Sequence, residues 1–171
     1  MAINPEKIDI LVGIASYNNA KTIGHVVRAV DAGLVKYFPD KKAVVVNSDG
    51  GSVDGTPDVV RNATFDHAAI FLSHPVYPAH RISIPYNGVP GKGSAFRAIF
   101  QKAVELNADA CCVVDADLRS ITPEWMELLL SPVIKKGFDF VVPFYNRHKY
   151  DATITNSIVY PMTRALYGHS I

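Results

Sequence analysis

Short runs of apolar, mostly β-branched residues alternate along this chain with segments in which apolar residues recur at helical spacing. The apolar runs predict buried strands, over residues 8–16, 43–47, 68–73, 110–114 and 140–144. The helical spacing predicts helices, over residues 22–34, from about 56, 94–106, 123–135 and 154–167, the last with Pro161 inside it and Gly168 as its C-cap. Strands that are apolar throughout and alternate with helices indicate a mostly parallel sheet with helices on both faces. The expected fold class is α/β.

Polar clusters follow the predicted strands. They are SYNN after the first strand, NSDGGSVDGT after the second and DAD after the strand at 110–114, with GKGS opening the helix at 94. Ligands of open α/β sheets bind beyond the carboxyl ends of the strands. The stretch 73–93 is predicted to be a long irregular loop, and loops of that length are usually lids or binding loops. We therefore expect the functional site at this edge of the sheet.

The bulk composition narrows the class of protein. The chain has 171 residues, 49% apolar and 19% charged, which suits one globular domain. Its formal net charge of +1 gives no reason to expect a nucleic-acid partner. The sequence has no apolar run long enough for a membrane span and no signal peptide, so we expect a cytoplasmic protein. Neighbouring Cys111 and Cys112 are predicted to be buried thiols.

Asp115 and Asp117 stand one residue apart at the end of an apolar strand. Residues i and i+2 of a strand point the same way, so the two carboxylates should reach one spot. Their repulsion needs a compensating positive charge. Oxygen ligands suit Mg²⁺ or Mn²⁺, which would bridge to phosphate oxygens. An ion pair with Arg119 is the alternative, and the sequence leaves both open.

Two further motifs have a structural and a functional interpretation. NSDGGSVDGT is explained in part as a tight turn with Thr56 as N-cap and glycines at positive φ. A turn does not account for the side chains of Asp49, Ser52 and Asp54. Such groups can hydrogen-bond a ribose or a base. In PGKGSAF, Lys92 stands at the beginning of a predicted helix. This segment is either an anion site or only the start of the helix. It matches neither a Walker loop nor a dinucleotide fingerprint.

Taken together, these motifs resemble the GT-A glycosyltransferases, whose DxD motif binds the metal of a nucleoside-diphosphate sugar. The resemblance covers residues 1–171 and is strongest to the retaining synthases of mannosylglycerate, glucosylglycerate and glucosyl-phosphoglycerate. In those enzymes GKG precedes DxD by about two dozen residues, as Lys92 precedes Asp115 here. They also carry an Arg, an Asp and a Thr beyond the next strand, which Arg147, Asp151 and Thr155 match.

The resemblance implies a Rossmann-like GT-A fold and a role for each matched residue. The base and ribose would be lined by Ala15, Ser16, Tyr17 and Asn19, with Asp49 and Ser52 beside them. Lys92 would contact the diphosphate, Asp117 the metal, and Asp115 the metal shell or the ribose. Arg147 and Thr155 would face the acceptor, completing a catalytic set of Lys92, Asp117, Arg147 and Thr155. Asn19 stands where many relatives have Glu, and relatives continue beyond residue 171, so we expect residues 1–171 to be the nucleotide-sugar-binding part of a longer enzyme.

The implied activity is metal-dependent transfer of a hexose from a UDP- or GDP-sugar to a small anionic acceptor such as glycerate or phosphoglycerate, with retention. Mg²⁺ or Mn²⁺ is the expected cofactor, and the oligomeric state is open, a homo-oligomer included. One alternative is a nucleotidyltransferase, although GIASYNNAKT lacks the Gly-rich basic loop expected after its first strand. The other is a nucleotide-binding regulatory domain without turnover.

Overall fold

The structure is a computed structural model that describes residues 7–63, 80–85, 91–143 and 154–168. The chain divides into two compact units, Met1–Val141 and Val142–Ile171. Across the described ranges, no helix combines the length and the apolar character that crossing a membrane requires.

The first unit is built on a parallel sheet of four described strands. They are β1 (Ile10–Ser16), β2 (Ala43–Asp49), β3 (His80–Pro85) and β4 (Ala110–Asp115), in the order β3-β2-β1-β4. All three described pairings are parallel. The register places Ser16 opposite Asp49 and Ala15 opposite Asp115. The polar residues that end β1, β2 and β4 therefore lie side by side at one edge of the sheet.

Helices cover both faces of this sheet, as the sequence predicts. The connecting helices are α1 (Ile23–Tyr37), α2 (Thr56–Asn62), α3 (Lys92–Glu105) and α4 (Glu124–Lys136). The larger core joins one sheet face to apolar residues of α1 and α4, among them Val27 and Met126. The smaller core joins the other face to α3 through Ile99. A Cβ on Gly13 of β1 would collide with the Ile99 side chain, so this glycine permits the close approach of α3.

The second unit is described over residues 154–168 and is helical. A π-helical turn, Thr155–Val159, runs into α5 (Tyr160–Tyr167). Pro161 lies in the first turn of α5, where its missing N–H is tolerated best. Gly168 ends the helix in the left-handed region, with φ of 70°. The predicted helix and its C-cap are confirmed, with a wider first turn than expected.

Two strand predictions need correction, and a third concerns residues outside the description. β3 occupies His80–Pro85, inside the stretch 73–93 that was expected to be irregular throughout. Residues 140–143 form no strand, because Pro143 cannot donate to a ladder and the flanking Phe140 and Val142 are exposed. The strand predicted over 68–73 lies outside the described residues.

The two cysteines differ in their surroundings. Cys112 is buried, and burial raises the pKa of its thiol to about 12. Cys111 is exposed on β4, which is an edge strand of the described sheet. Both thiols are free. The prediction of two buried thiols is therefore wrong for Cys111.

Candidate functional site

A cavity of about 390 Å³ opens where β1 and β4 end and α3 begins. Its volume falls within the usual range for small-molecule sites. The lining residues are Ala15, Ser16, Tyr17, Asn19, Gly50, Gly91, Lys92, Ala95, Asp115, Ala116 and Asp117. Seven of the predicted site residues thus meet around one cavity: Ala15, Ser16, Tyr17, Asn19, Lys92, Asp115 and Asp117.

The remaining predicted site residues lie elsewhere. Asp49 and Ser52 are outside the lining of this cavity and belong to a hydrogen-bond network next to it. Thr155 is an exposed residue of the second unit. Arg147, together with Asp151, falls outside the described residues. The structure therefore brings seven of the nine predicted donor-side residues to one cavity and leaves the predicted acceptor-side residues as a sequence-based expectation.

The positive charge nearest Asp115 comes from a lysine. Lys92 Nζ lies 2.8 Å from Asp115 Oδ1, and the two side chains are 58% and 40% exposed. Lys92 reaches this position as the first residue of α3, after Gly91 with φ of 146°. Arg119 is exposed and forms no ion pair within the described ranges. The alternative of an Arg119 clamp is therefore not what the structure contains.

Asp117 differs from Asp115 in both position and surroundings. β4 ends at Asp115, so Asp117 lies in the turn that follows and not on the strand. Strand alternation therefore does not explain why both carboxylates line the cavity. Asp117 is exposed and has no ion-pair partner among the residues that the structure describes.

The carboxylates of Asp115 and Asp117 form a candidate divalent-metal site. In the described parts of the chain, no group of three or more His, Cys, Asp or Glu side chains could form a complete protein cage. Mg²⁺ commonly uses one or two carboxylates and completes its shell with water and substrate phosphates. Asp115 and Asp117 on one cavity fit that pattern, and the ammonium group beside Asp115 already marks a place where a cation is stable.

The loop between β1 and α1 is held by its neighbour between β2 and α2. Four consecutive backbone amides, from Tyr17 to Ala20, each donate to a side-chain oxygen. The acceptors, in chain order, are Asn19 Oδ1, Ser52 Oγ and Thr56 Oγ1, each at 2.8 Å, and Asp54 Oδ2 at 2.9 Å. These amides are therefore not available to bind a phosphate group.

Asp49 is the centre of the network at the end of β2. It is 6% exposed. Its carboxylate accepts hydrogen bonds from the Ser52 hydroxyl at 2.6 Å and from the amides of Gly51 and Ser52 at 2.9 and 2.8 Å. The Ser16 hydroxyl lies 3.1 Å away and 2.8 Å from Asn47 Oδ1, its nearer acceptor. Both oxygens of Asp49 thus accept hydrogen bonds from the protein and hold the shape of the loop. The expected contact of Asp49 with a ribose stays a prediction.

Asp54 ties the same two loops together from the other end. It accepts from the Thr56 hydroxyl at 2.5 Å and from the Ala20 amide at 2.9 Å. The Thr56 hydrogen bond, followed by that of Ala20, holds the pKa of Asp54 below its ordinary value. Thr56 is the first residue of α2, and the N-cap is Gly55 with φ of 84°. The prediction of Thr56 as N-cap is therefore wrong. Gly51 also adopts positive φ, whereas Gly50 does not.

Two residues of the site were not identified from the sequence. Asn18 adopts φ of 54° and accepts a hydrogen bond from the Val53 amide at 3.0 Å. Thr22 donates its hydroxyl to the Ala116 carbonyl at 2.9 Å. The sequence signal for Asn18 was its place in the SYNN turn, because Asn tolerates positive φ. For Thr22, the sequence indicated only a possible helix N-cap and not its contact with Ala116.

Comparison with known proteins gives one family. The model of the family described as glycosyl transferase family 2 matches residues 11–162, most of the chain. No curated protein sequence matches the chain.

Solved structures of glucosyl-3-phosphoglycerate synthase from Mycobacterium tuberculosis share the fold. The complex with Mn²⁺, UDP-glucose and phosphoglyceric acid is 22% identical, with a TM-score of 0.66 over 94% of this chain and 51% of that one. The complex with Mn²⁺, UDP and glucosyl-3-phosphoglycerate is 23% identical, with a TM-score of 0.65 over 93% and 50%. The complex with Mg²⁺ and UDP is 22% identical, with a TM-score of 0.65 over 94% and 50%.

This chain spans about half the length of those structures. The shared part covers 93–94% of this chain. With the family match over residues 11–162, the chain has the Rossmann-like GT-A fold and belongs to glycosyl transferase family 2.

Proposed function

We propose that this protein is a metal-dependent glycosyltransferase that moves a hexose from a nucleoside-diphosphate sugar to a small anionic acceptor. The observation that carries the proposal is the single cavity that brings together Tyr17, Lys92, Asp115 and Asp117. Membership of glycosyl transferase family 2 supports the reaction class. The solved relatives that bind Mn²⁺ with UDP-glucose, or Mg²⁺ with UDP, support the cofactor and the donor class.

The cavity divides into a nucleoside end and a diphosphate end. At the nucleoside end, Tyr17 is 62% exposed, and its ring suits stacking against a base, next to Ala15 and Asn19. The amides there are already engaged, so the phosphates need donors elsewhere. We assign this role to the start of α3, because the N-terminus of a helix favours an anion and Lys92 adds a positive charge there.

This division also argues against the nucleotidyltransferase alternative. An enzyme that attacks the α-phosphate would use the loop after its first strand to cradle the phosphates. In this chain the amides from Tyr17 to Ala20 all donate to side chains of the protein. The loop is therefore built to hold a fixed shape beside the nucleoside.

The chemistry follows from the charge that develops on the leaving group. Breaking the bond between the anomeric carbon and the phosphate leaves a nucleoside diphosphate with additional negative charge. A divalent ion held by Asp115 and Asp117 would offset part of that charge. Lys92, released from Asp115, would offset the rest from the start of α3. No carboxylate is assigned as a nucleophile. We therefore propose that the acceptor attacks the anomeric carbon on the face that the leaving group vacates, which retains the anomeric configuration.

The acceptor side of the proposal rests on resemblance. Arg147 and Thr155 match residues that face the acceptor in similar enzymes, and a guanidinium suits a carboxylate or phosphate. A solved relative binds phosphoglyceric acid. We propose glycerate or phosphoglycerate as the acceptor and residues 1–171 as the donor-binding part of the enzyme.

Calorimetry and a transfer assay test the proposal together. UDP and GDP are titrated with Mn²⁺ and with EDTA, and single-turnover transfer to 3-phosphoglycerate is followed with UDP-glucose and GDP-mannose. We expect nucleotide affinity to fall strongly in EDTA and in Asp117→Asn. The matched control is Asp40→Asn, which removes an exposed carboxylate outside the cavity. Metal-dependent binding without any transfer by the full-length protein would favour a regulatory nucleotide-binding domain, and no nucleotide binding would refute both.

A further inference from the structure

A hydroxyl group from the first helix reaches the turn that carries the two aspartates. Thr22 Oγ1 donates to the carbonyl oxygen of Ala116 at 2.9 Å, and the two residues are 94 positions apart in the sequence. Ala116 stands between Asp115 and Asp117 and is 2% exposed. The second acceptor near this hydroxyl, the Asn19 carbonyl, lies farther away at 3.3 Å. The single hydroxyl proton therefore belongs mainly to Ala116.

Thr22 does not use its side chain to cap its own helix. It occupies the N-cap position of α1, yet it makes no side-chain capping hydrogen bond. An N-cap threonine usually accepts a hydrogen bond from an amide of the first turn. Here the Asn19 carbonyl accepts from the amides of Thr22 and Ile23, at 3.0 and 2.9 Å. The Thr22 hydroxyl thus donates its hydrogen bond to the turn at Ala116 and does not cap α1.

The Ala116 carbonyl controls the position of Asp117 but not that of Asp115. Asp115 ends β4 and is placed by its pairing with Ala15. Asp117 lies beyond the strand, so sheet hydrogen bonds do not place it. The Ala116 carbonyl and the Asp117 amide belong to one rigid peptide plane. Holding that carbonyl therefore sets the direction in which the chain enters Asp117.

We propose that Thr22 is a positioning residue for the divalent-metal site, holding Asp117 where it and Asp115 can share one ion. This inference rests on the proposed function, because it assumes that the ion binds these two carboxylates. Mg²⁺ demands near-ideal geometry from its ligands, so an unrestrained Asp117 would bind it less well. Thr22 also joins the start of α1, next to the nucleoside-lining loop, to the turn between the two aspartates.

The test compares Thr22→Val, which keeps the shape and removes the hydroxyl, with Thr22→Ser, which keeps the hydroxyl. Thr22→Ala provides a second variant without the hydroxyl and without added bulk. The matched control is Thr163→Val, because Thr163 donates to the Val159 carbonyl at 2.8 Å within its own helix. Three quantities are measured: Mn²⁺ affinity with UDP present, by electron paramagnetic resonance, UDP affinity in EDTA, and the ¹⁵N order parameter of the Asp117 amide in metal-free protein.

We expect Thr22→Val to weaken Mn²⁺ binding by about twofold to tenfold, the range for losing one hydrogen bond. The Asp117 order parameter should fall from about 0.85 toward 0.6, while UDP affinity in EDTA stays unchanged. Thr22→Ser should behave as the wild type, and so should Thr163→Val.

The possible failures have different meanings. If the wild type binds Mn²⁺ and Thr22→Val binds it equally well, the proposed function stands and the positioning role is refuted. If UDP affinity in EDTA falls together with Mn²⁺ affinity, Thr22 supports the fold in general and the positioning role is again refuted. If the wild type binds no Mn²⁺ with UDP present, the proposed function itself fails.

Discussion

Under the proposed function, the ion pair between Lys92 and Asp115 has to open when a metal and a nucleotide bind. Asp115 cannot keep the Lys92 ammonium group at 2.8 Å and at the same time give its full negative charge to a divalent cation. Lys92 should therefore exchange Asp115 for the diphosphate. The perturbation that tests this exchange is Lys92→Met, which keeps the length of the side chain and removes its charge.

The two expected effects have opposite signs. The pair is 58% and 40% exposed, and pairs of this kind contribute about 0.2–1 kcal/mol. Removing the competing lysine should therefore tighten nucleotide-free Mn²⁺ binding by about 1.4-fold to fivefold. Removing a charged hydrogen-bond donor to the diphosphate costs about 1.5–3 kcal/mol, which weakens UDP binding by about tenfold to a hundredfold.

The assay is a pair of titrations, Mn²⁺ without nucleotide and UDP at saturating Mn²⁺. Lys102→Met is the matched control, because Lys102 lies on the same helix α3 and pairs with Glu105 at 2.6 Å. It changes the net charge by the same amount and leaves the cavity lining intact. If Lys92→Met binds Mn²⁺ no more tightly than Lys102→Met does, the exchange of partners is refuted.

Three further predictions concern the helices and loops of the first unit. Gly91→Ala should destabilise the protein by about 1–3 kcal/mol in thermal unfolding, because φ is 146°; Gly93→Ala, which meets no atom within 4 Å, should not. Gly33→Ala should cost about 1–3 kcal/mol, because its Cβ would meet the Pro123 carbonyl; unchanged stability would contradict this contact. The lowered pKa of Asp54 means that its contribution to stability is present above about pH 4 and lost as the pH falls further. Urea unfolding of the wild type and Asp54→Asn should therefore converge in acid, and a constant difference would contradict the assignment.

The order of the elements could be predicted in large part because β1 and β2 are buried on both faces. A strand such as β2, buried at all seven positions, has a continuous apolar run that can be recognised without tertiary information. β3 is an edge strand of the described sheet. Its sequence, HRISIP, carries His, Arg and Pro and has no such run. Its pairing with β2 is a tertiary interaction, which periodicity does not show.

The cavity could be predicted because parallel strands bring their carboxyl ends to one edge. That rule alone placed Tyr17, Lys92, Asp115 and Asp117 together. The sequence could not show whether an aspartate at this edge faces a ligand or the protein. Asp49 accepts hydrogen bonds from the amides of its own loop, and Lys92 forms an ion pair with Asp115. Both outcomes depend on hydrogen bonds between segments that are far apart in the chain.

A paramagnetic ion shows directly where the metal binds in solution. Mn²⁺ added with UDP broadens the NMR signals of nearby amides, and a chain of 18.7 kDa is accessible to this measurement. An ion held by Asp115 and Asp117 should cause strong broadening at Ala116, Asp117 and Lys92, with much less in Asp117→Asn. Broadening that centres on another part of the protein, or that survives in Asp117→Asn, would contradict the assignment of this cavity as the metal and nucleotide site.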